Sequence, residues 1–360
     1  MEKSPPKPFF KRTLIKRMLI ITGLLILGGI ALFAFLLERV LPYVPIAPVR
    51  QKTAINLRRF PLSIEKMDIE AEKDLILKGL LVKSSRPRAT LILVHGIGGN
   101  KEGYLDFAKS LAEKGFNAFI YDQRAHGESG GAYCTFGFYE KFDVQKIVDS
   151  LQKRDKKLPI GIFGASLGGA VALQSLANDK RLAFGIIEST FNTLENVVAQ
   201  YGKNYVGFRS EWLASQVLRR SAGIAHFDPF SVKPEEACKS ITQPIFFAHG
   251  TKDERIPIEF NKKNYENTAS IEKEFHEIID AHHNDLHAVG GEKYAQLMQQ
   301  FLEKQVASMP KTLSFNEKWR KRMEKIQFVV TKTNWQRRMT AKIRSNIRKN
   351  LKRKRTPRKG

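Results

Sequence analysis

The sequence predicts an α/β fold, in which a mostly parallel central sheet is covered by helices on both faces and preceded by one apolar helix. Three observations carry that prediction. Short apolar runs alternate with segments of helical period from about residue 62 to residue 305. Those runs do not alternate polar with apolar residues, as befits strands buried on both faces. Ahead of them, residues 18–37 hold twenty residues without a charge.

Residues 1–17 carry six Lys or Arg and one acid, Glu2, for a local charge of +5. Residues 18–37 then read as a transmembrane helix, because twenty residues at 1.5 Å each span about 30 Å, the hydrocarbon thickness of a bilayer. The run is longer than a signal-peptide core and has no small-residue cleavage site behind it, so an uncleaved anchor is expected. The local excess of basic residues before the span is expected to place the N-terminus in the cytoplasm and the body of the protein on the opposite side. Residues 38–61, with Pro42, Pro45 and Pro48, read as a stiff, extended linker closed to helix.

The net charge of +25 belongs mostly to the two ends of the chain. Residues 318–360 hold eighteen Lys or Arg against one acid, Glu324, which leaves about +3 for the 300 residues between the basic ends. That balance is ordinary for a globular domain. Two cysteines, Cys134 and Cys238, are too few for a disulfide framework or a four-thiolate zinc site, and read as free thiols.

Residues 62–308 form the main domain. Two paired strands, residues 63–70 and 75–82, precede the repeat. Strands are then expected at 91–95, 117–122, 160–165, 184–188, 244–249 and 274–279. Helices are expected at 106–114, 139–153, 167–178, 258–267 and 292–304. Residues 192–232 break the rhythm, with Tyr201, Tyr205, Phe208 and Trp212 among polar residues. They read either as a small cap-like insertion at the carboxyl ends of the strands, where open parallel sheets bind ligands, or as a connecting helix with a packed aromatic face.

Chemistry concentrates at Gly164-Ala165-Ser166-Leu167-Gly168, a G-x-S-x-G pattern between the apolar run IGIFGA and the helical run LGGAVALQSLAN. A nucleophilic serine on a sharp strand-to-helix turn requires that setting, and glycines on either side let the backbone bend and pack closely. The following helix aims its N-terminus at developing negative charge. A serine hydroxyl needs a base, and the base an orienting acid, each expected later in the chain just past a strand. Asp253, in HGTKDERIP, and His283, in HHNDL, satisfy both conditions in the order Ser, Asp, His. The oxyanion hole is expected from the backbone N–H of Leu167 and that of Ile97 in the glycine-rich turn HGIGGN. A phosphate-cradling loop is the rival reading of that turn, but the Lys–Ser/Thr pair of a P-loop and the G-x-G-x-x-G pattern are both missing. No set of His, Cys, Asp and Glu has metal-ligand spacing, so neither a metal nor a cofactor is expected.

Taken in order, HGIGGN, DQRAHGES, GASLGG, ESTFNT, HGTKDERIP and HHNDL resemble the α/β-hydrolase superfamily. Within it the resemblance is to serine-aminopeptidase-like (S33-type) and Bem46-like hydrolases, a group with membrane-anchored members of the ABHD type. It covers roughly residues 60–305 and leaves out the basic tail. It implies an α/β-hydrolase fold with Ser166, Asp253 and His283 as a catalytic triad, and Ile97 and Leu167 as oxyanion donors. The sequence departs from the pattern at His282, where a small residue usually precedes the catalytic histidine. His283 is preferred because it directly precedes Asn-Asp-Leu. The resemblance also implies that Arg124 and His126 brace a turn; His95 and His249, each ending a strand before glycine, read as buried and hydrogen-bonded.

Residues 309–360 form a basic amphipathic helix and tail, with Phe315, Trp319, Met323, Ile326 and Val330 at helical spacing and a break near 331–333. Contact with anionic lipid is the favoured reading, ahead of a solubilising tail and of polyanion binding; nucleic acid is not the expected partner. The function expected is hydrolysis of an acyl ester or thioester of a hydrophobic substrate (a lipid or an acylated protein) through an acyl-enzyme. A peptidase using the same residues and a non-catalytic membrane scaffold are the alternatives.

Overall fold

A computed structural model describes residues 8–53 and 62–307. The chain begins with α1 (Pro8–Arg39) and a one-turn helix, α2 (Tyr43–Ile46). Four short strands follow: β1 (Ser63–Lys66), β2 (Ile69–Glu72), β3 (Leu75–Leu77) and β4 (Gly79–Lys83). The alternating part runs β5 (Ala89–Val94), α3 (Leu105–Glu113), β6 (Phe116–Tyr121), α4 (Glu140–Arg154), β7 (Ile160–Ala165), α5 (Leu167–Asn178) and β8 (Leu182–Glu188). A helical hairpin, α6 (Leu194–Val206) and α7 (Glu211–Ala225), and the short α8 (Pro234–Cys238) come next. The last elements are β9 (Ile245–Gly250), α9 (Ile258–Asn267), β10 (Lys273–Ile278) and α10 (Leu286–Ala307).

Eight strands form one sheet in the order β1-β4-β6-β5-β7-β8-β9-β10. β1 pairs with β4 and β4 with β6 antiparallel, and every later pairing is parallel. Successive side chains of a strand point to opposite faces. Ile92 and Val94 of β5 accordingly join one apolar cluster, with α4 and α5, while Leu91 and Leu93 join the other, with α3 and α10. Two covered faces explain why the strands read as unbroken apolar runs.

The first two expected strands are each divided. The chain breaks pairing at Met67–Asp68, and Gly79 starts a new strand where a Cβ would lie 2.4 Å from the Phe119 ring. β2 and β3 pair only with each other.

The proline-rich segment also differs from the extended linker expected of it. Pro42 caps α2 and Pro45 lies in its single turn, where the missing N–H costs nothing because first-turn N–H groups have no intrahelical acceptor. Burial fixes the segment, with Ile46 fully buried and its carbonyl accepting from the Cys134 N–H at 2.8 Å. Farther on, Arg50 donates to the Ser129 and Gly131 carbonyls, and the Asn100 amide donates to the Thr53 hydroxyl at 2.9 Å.

Among the described residues, 13–46 contain one helix long and apolar enough to cross a membrane, and none of its apolar window is buried in the protein. Cys134 and Cys238 are both free and buried. The basic helix and tail expected at 309–360 lie outside the described residues, as do residues 54–61 of the linker.

Candidate active site

The turn from β7 into α5 places Ser166 at φ 57°, ψ −121°, a conformation held by packing and not by residue preference. Its N–H donates to the Glu188 carbonyl at 2.9 Å, and its own carbonyl accepts from Thr190 Oγ1 at 2.7 Å. The flanking glycines are there for close approach. A Cβ on Gly164 would lie 2.1 Å from the Gly168 carbonyl oxygen, and one on Gly168 would lie 2.0 Å from that of Val94. The elbow therefore packs against both the helix it starts and the neighbouring strand.

Two loops at the carboxyl ends of β9 and β10 bring the expected partners to this serine. His283 Nε2 is 3.0 Å from Ser166 Oγ, and His283 Nδ1 is 2.7 Å from Asp253 Oδ2. An ionised carboxylate only accepts, so Nδ1 carries the proton and Nε2 of the neutral ring is free to accept from the serine hydroxyl. His282, by contrast, is exposed, and its N–H donates to Asp285 Oδ1 at 2.6 Å.

Asp253 is more heavily held than the sequence indicated. Its Oδ1 accepts the N–H groups of Arg255 (3.0 Å) and Ile256 (2.9 Å). Its Oδ2 meets a second histidine, His249, whose Nε2 lies 3.2 Å away and 2.9 Å from the Ile256 carbonyl. Burial alone would raise the Asp253 pKa. Hydrogen bonds from His249 and His283, with that from Ile256, outweigh it and hold the carboxyl well below the usual carboxylate range. The signal for His249 was its spacing, four residues before Asp253 across a strand end.

The glycine-rich turn after β5 lies beside the same serine. A Cβ on Gly96 would be 3.4 Å from Ser166 Cβ. Gly99 N–H closes the turn onto the Gly96 carbonyl at 3.1 Å, and Gly98 takes φ 70°, which suits glycine. His95 fixes this turn from below. Its Nε2 accepts the Gln123 N–H at 3.1 Å, so its proton sits on Nδ1 and is donated to the Gly96 carbonyl at 2.8 Å. Across a trans peptide the N–H opposes the C=O, so holding the Gly96 carbonyl also aims the Ile97 N–H. Neither that N–H nor the Leu167 N–H donates to a carbonyl among the described residues. Burial, with neighbouring His126 adding to it, depresses the His95 pKa to about 4 and keeps the ring neutral.

Arg124 and His126 point elsewhere. Arg124 donates to both oxygens of Asp143 at 2.7 Å and to Glu72 at 2.8 Å, and His126 bonds through Nδ1 to the Arg124 carbonyl at 2.9 Å. Sequence reading missed one further cluster. Glu188, at the end of β8, meets His287 Nε2 at 3.0 Å and the buried Tyr294 hydroxyl. Burial disfavours the charged His287 ring, but the Glu188 carboxylate outweighs it and raises the His287 pKa.

The arrangement supplies a hydroxyl with an adjacent base, a carboxylate to orient that base, and a glycine-rich turn beside the same serine. Such a set can carry acyl transfer through a tetrahedral intermediate.

The sequence model of the family described as serine aminopeptidase, S33, matches residues 85–217, a span that holds Ser166 and the 95–99 turn and ends before Asp253 and His283. The chain is 29% identical over 197 residues to the uncharacterised protein YqkD of Bacillus subtilis, covering 53% of this chain and 63% of that protein's length. It is 27% identical over 226 residues to the uncharacterised membrane protein YNL320W of Saccharomyces cerevisiae, covering 61% and 74% of the two chains. Human monoglyceride lipase is 30% identical over 126 residues, 33% of this chain and 42% of the lipase. Among solved structures, the Pyrococcus furiosus esterase Pf2001 superposes with a TM-score of 0.61 at 26% identity, over 73% of this chain and 98% of the esterase.

Proposed function

We propose that this chain, which belongs to the α/β-hydrolase superfamily, is a serine hydrolase that cleaves an acyl ester or thioester of a hydrophobic substrate through an acyl-enzyme. The observation that carries the reading is the 3.0 Å approach of His283 Nε2 to Ser166 Oγ, with Asp253 2.7 Å behind the same ring. Ser166 attacks the acyl carbonyl while His283 takes its proton, and the imidazolium then protonates the leaving alkoxide or thiolate. Asp253 keeps the ring in the required tautomer and offsets its charge. The N–H groups of Ile97 and Leu167 receive the intermediate's oxyanion. Water, deprotonated by His283, then releases the acid and regenerates Ser166.

Similarity to a monoglyceride lipase and to an esterase supports an ester bond and a hydrophobic acyl group. The anchor supports a substrate met at a membrane, and we place the N-terminus in the cytoplasm with the catalytic domain across the bilayer, contacting anionic lipid through its basic tail. Protease protection of the domain in sealed vesicles tests that topology. The family description favours a second reading, a peptidase on the same residues. A panel of nitrophenyl esters of rising chain length, a monoacylglycerol, an acyl thioester and aminoacyl anilides separates the two. Turnover of the esters with anilides untouched is expected; anilide cleavage alone would replace this reading with the peptidase.

A further inference from the structure

α1 ends against the α6–α7 hairpin. In its last turn, Glu38 accepts from the Arg220 guanidinium of α7, with Nε 2.7 Å from Oε1. The buried Ser221 hydroxyl donates to the Pro42 carbonyl at 2.7 Å. α2 packs on α7 as well. The chain leaving the apolar helix is thus fixed to one side of the hairpin.

That hairpin turns an aromatic and basic surface outward. Tyr205, Phe208 and Trp212 are 83%, 57% and 63% exposed. Trp212, Gln216 and Arg220 stand four residues apart in turn and share one stripe of α7, with Arg219 and Gly223 exposed beside it. Trp212 therefore lies on the stripe that grips the anchor, about two turns nearer the hairpin's tip. Lys203, Arg209 and Arg219 of the same hairpin are exposed, and Arg39 closes α1. The nearby acids are engaged: Glu211 pairs with Arg209 at 3.2 Å, Glu195 accepts from Ser215, and Glu38 holds Arg220. Single exposed apolar side chains need no explanation, but a grouped set does. Exposed aromatic rings on an element rich in Lys and Arg, at the end of an apolar helix, match a membrane–water interface, where rings sit at headgroup level and Lys and Arg meet anionic lipid.

The C-terminal half of α6 reaches the candidate active site. The Gln200 and Asn204 amides donate to the Glu254 carbonyl at 3.4 and 3.2 Å, and Asn204 donates also to the Arg255 carbonyl at 3.4 Å. These two carbonyls follow Asp253 directly. One element thus joins the anchor's end to the loop that carries Asp253.

We propose that the outward face of the α6–α7 hairpin rests on the leaflet from which α1 emerges, with Tyr205, Phe208 and Trp212 at headgroup depth. The site beside Ser166 then opens at the lipid surface and takes an acyl ester resident in that leaflet. This inference rests on reading α1 as a bilayer anchor and Ser166 as a nucleophile.

The test uses the full chain with W319F and W335F, which leaves Trp212 as its one tryptophan. It is reconstituted in vesicles of phosphatidylcholine with a minor share of phosphatidylglycerol, with and without brominated acyl chains. Bromolipid is expected to remove about half of the Trp212 emission, as for an indole held at the interface. Co-flotation with the vesicles and unchanged emission would overturn the proposal. So would shielding from acrylamide without bromolipid quenching, which would assign the face to a second copy of the chain. A chain that fails to co-float loses the anchor reading together with this one. Fluorophosphonate labelling in the same vesicles reports separately on Ser166, so failure of the hydrolase reading is told apart from failure of the membrane face.

Discussion

Ser166 and Ser189 end neighbouring strands, β7 and β8, and both hold positive φ, 57° and 44°. Their surroundings separate them. Ser166 stands half-buried at the N-terminus of α5 between glycines, with His283 Nε2 3.0 Å from its hydroxyl. Ser189 is fully enclosed, and its hydroxyl has no hydrogen-bond partner among the described residues. The histidine–carboxylate pairs differ in the same way. Asp253 and His283 are both buried and end on a serine, whereas Glu188 pairs with a half-exposed His287 and a tyrosine. A strained serine at a strand end and a His–carboxylate pair each occur more than once among the described residues. Only at Ser166 do they coincide among the described residues, and the proposed site rests on that coincidence.

The largest expected effect separates the two serines. Ser166→Ala should lower kcat/KM for an acyl ester by at least about 10⁴-fold, while Ser189→Ala stays within about twofold. Ser189→Ala should also leave stability unchanged or raise it by up to about 1 kcal/mol, since it removes a buried hydroxyl that bonds to nothing among the described residues. An inactive Ser189→Ala enzyme with normal folding would break the comparison.

The histidines come next. His283→Ala and Asp253→Asn are each expected to cost on the order of 10⁴-fold in kcat, the latter because the amide stabilises the wrong tautomer. His282→Ala and His287→Ala should each stay within about threefold, since neither ring reaches Ser166. Kinetics of the four purified variants on one soluble ester decide this, and a large loss in His287→Ala would show the second pair to be coupled to the first.

A smaller effect sharpens the account of the oxyanion turn. Folded His95 stays neutral down to about pH 4, while the unfolded chain takes up that proton near the ordinary histidine value. Protons are bound more by the unfolded state across that window, so stability falls as pH drops through it, by up to about 3 kcal/mol from this residue. Asp253, depressed below the carboxylate range, loses its contribution only at still lower pH. Urea unfolding at pH 7 and pH 4.5 should therefore show a steeper loss for the wild type than for His95→Gln. Equal losses would mean that His95 is not held neutral under the turn.

Where local chemistry decided the structure, the sequence was legible. The strand, glycine-flanked serine and helix over residues 160–178 fell at the expected residues because apolar run, turn and helical period change sharply there. The chain order of Ser166, Asp253 and His283 was likewise readable, since each stands just past a strand. Long-range packing decided the rest. The second of the divided strands restarts at Gly79, where Phe119, some forty residues on, fills the space that a Cβ would need. Proline chemistry suggested an extended segment after α1, but a single helical turn asks nothing of Pro45 that proline cannot give, and burial of Ile46 settles its form. The helix expected at 292–304 follows a break at Gly291 (φ 51°, ψ −141°), and the helical turns over residues 286–290 ahead of that break were not indicated by the periodicity. His249 was visible as a residue, but its bond to Asp253 depends on a loop that the spacing alone does not draw.

The account rests most directly on Ser166 being the activated serine of this chain. Fluorophosphonate treatment of the folded full-length protein, followed by peptide mapping, measures that. One phosphonylated peptide containing Ser166 is predicted, absent in Ser166→Ala and strongly slowed in His283→Ala. A folded wild type that takes no label, or a label found on Ser189 or retained in Ser166→Ala, would contradict it.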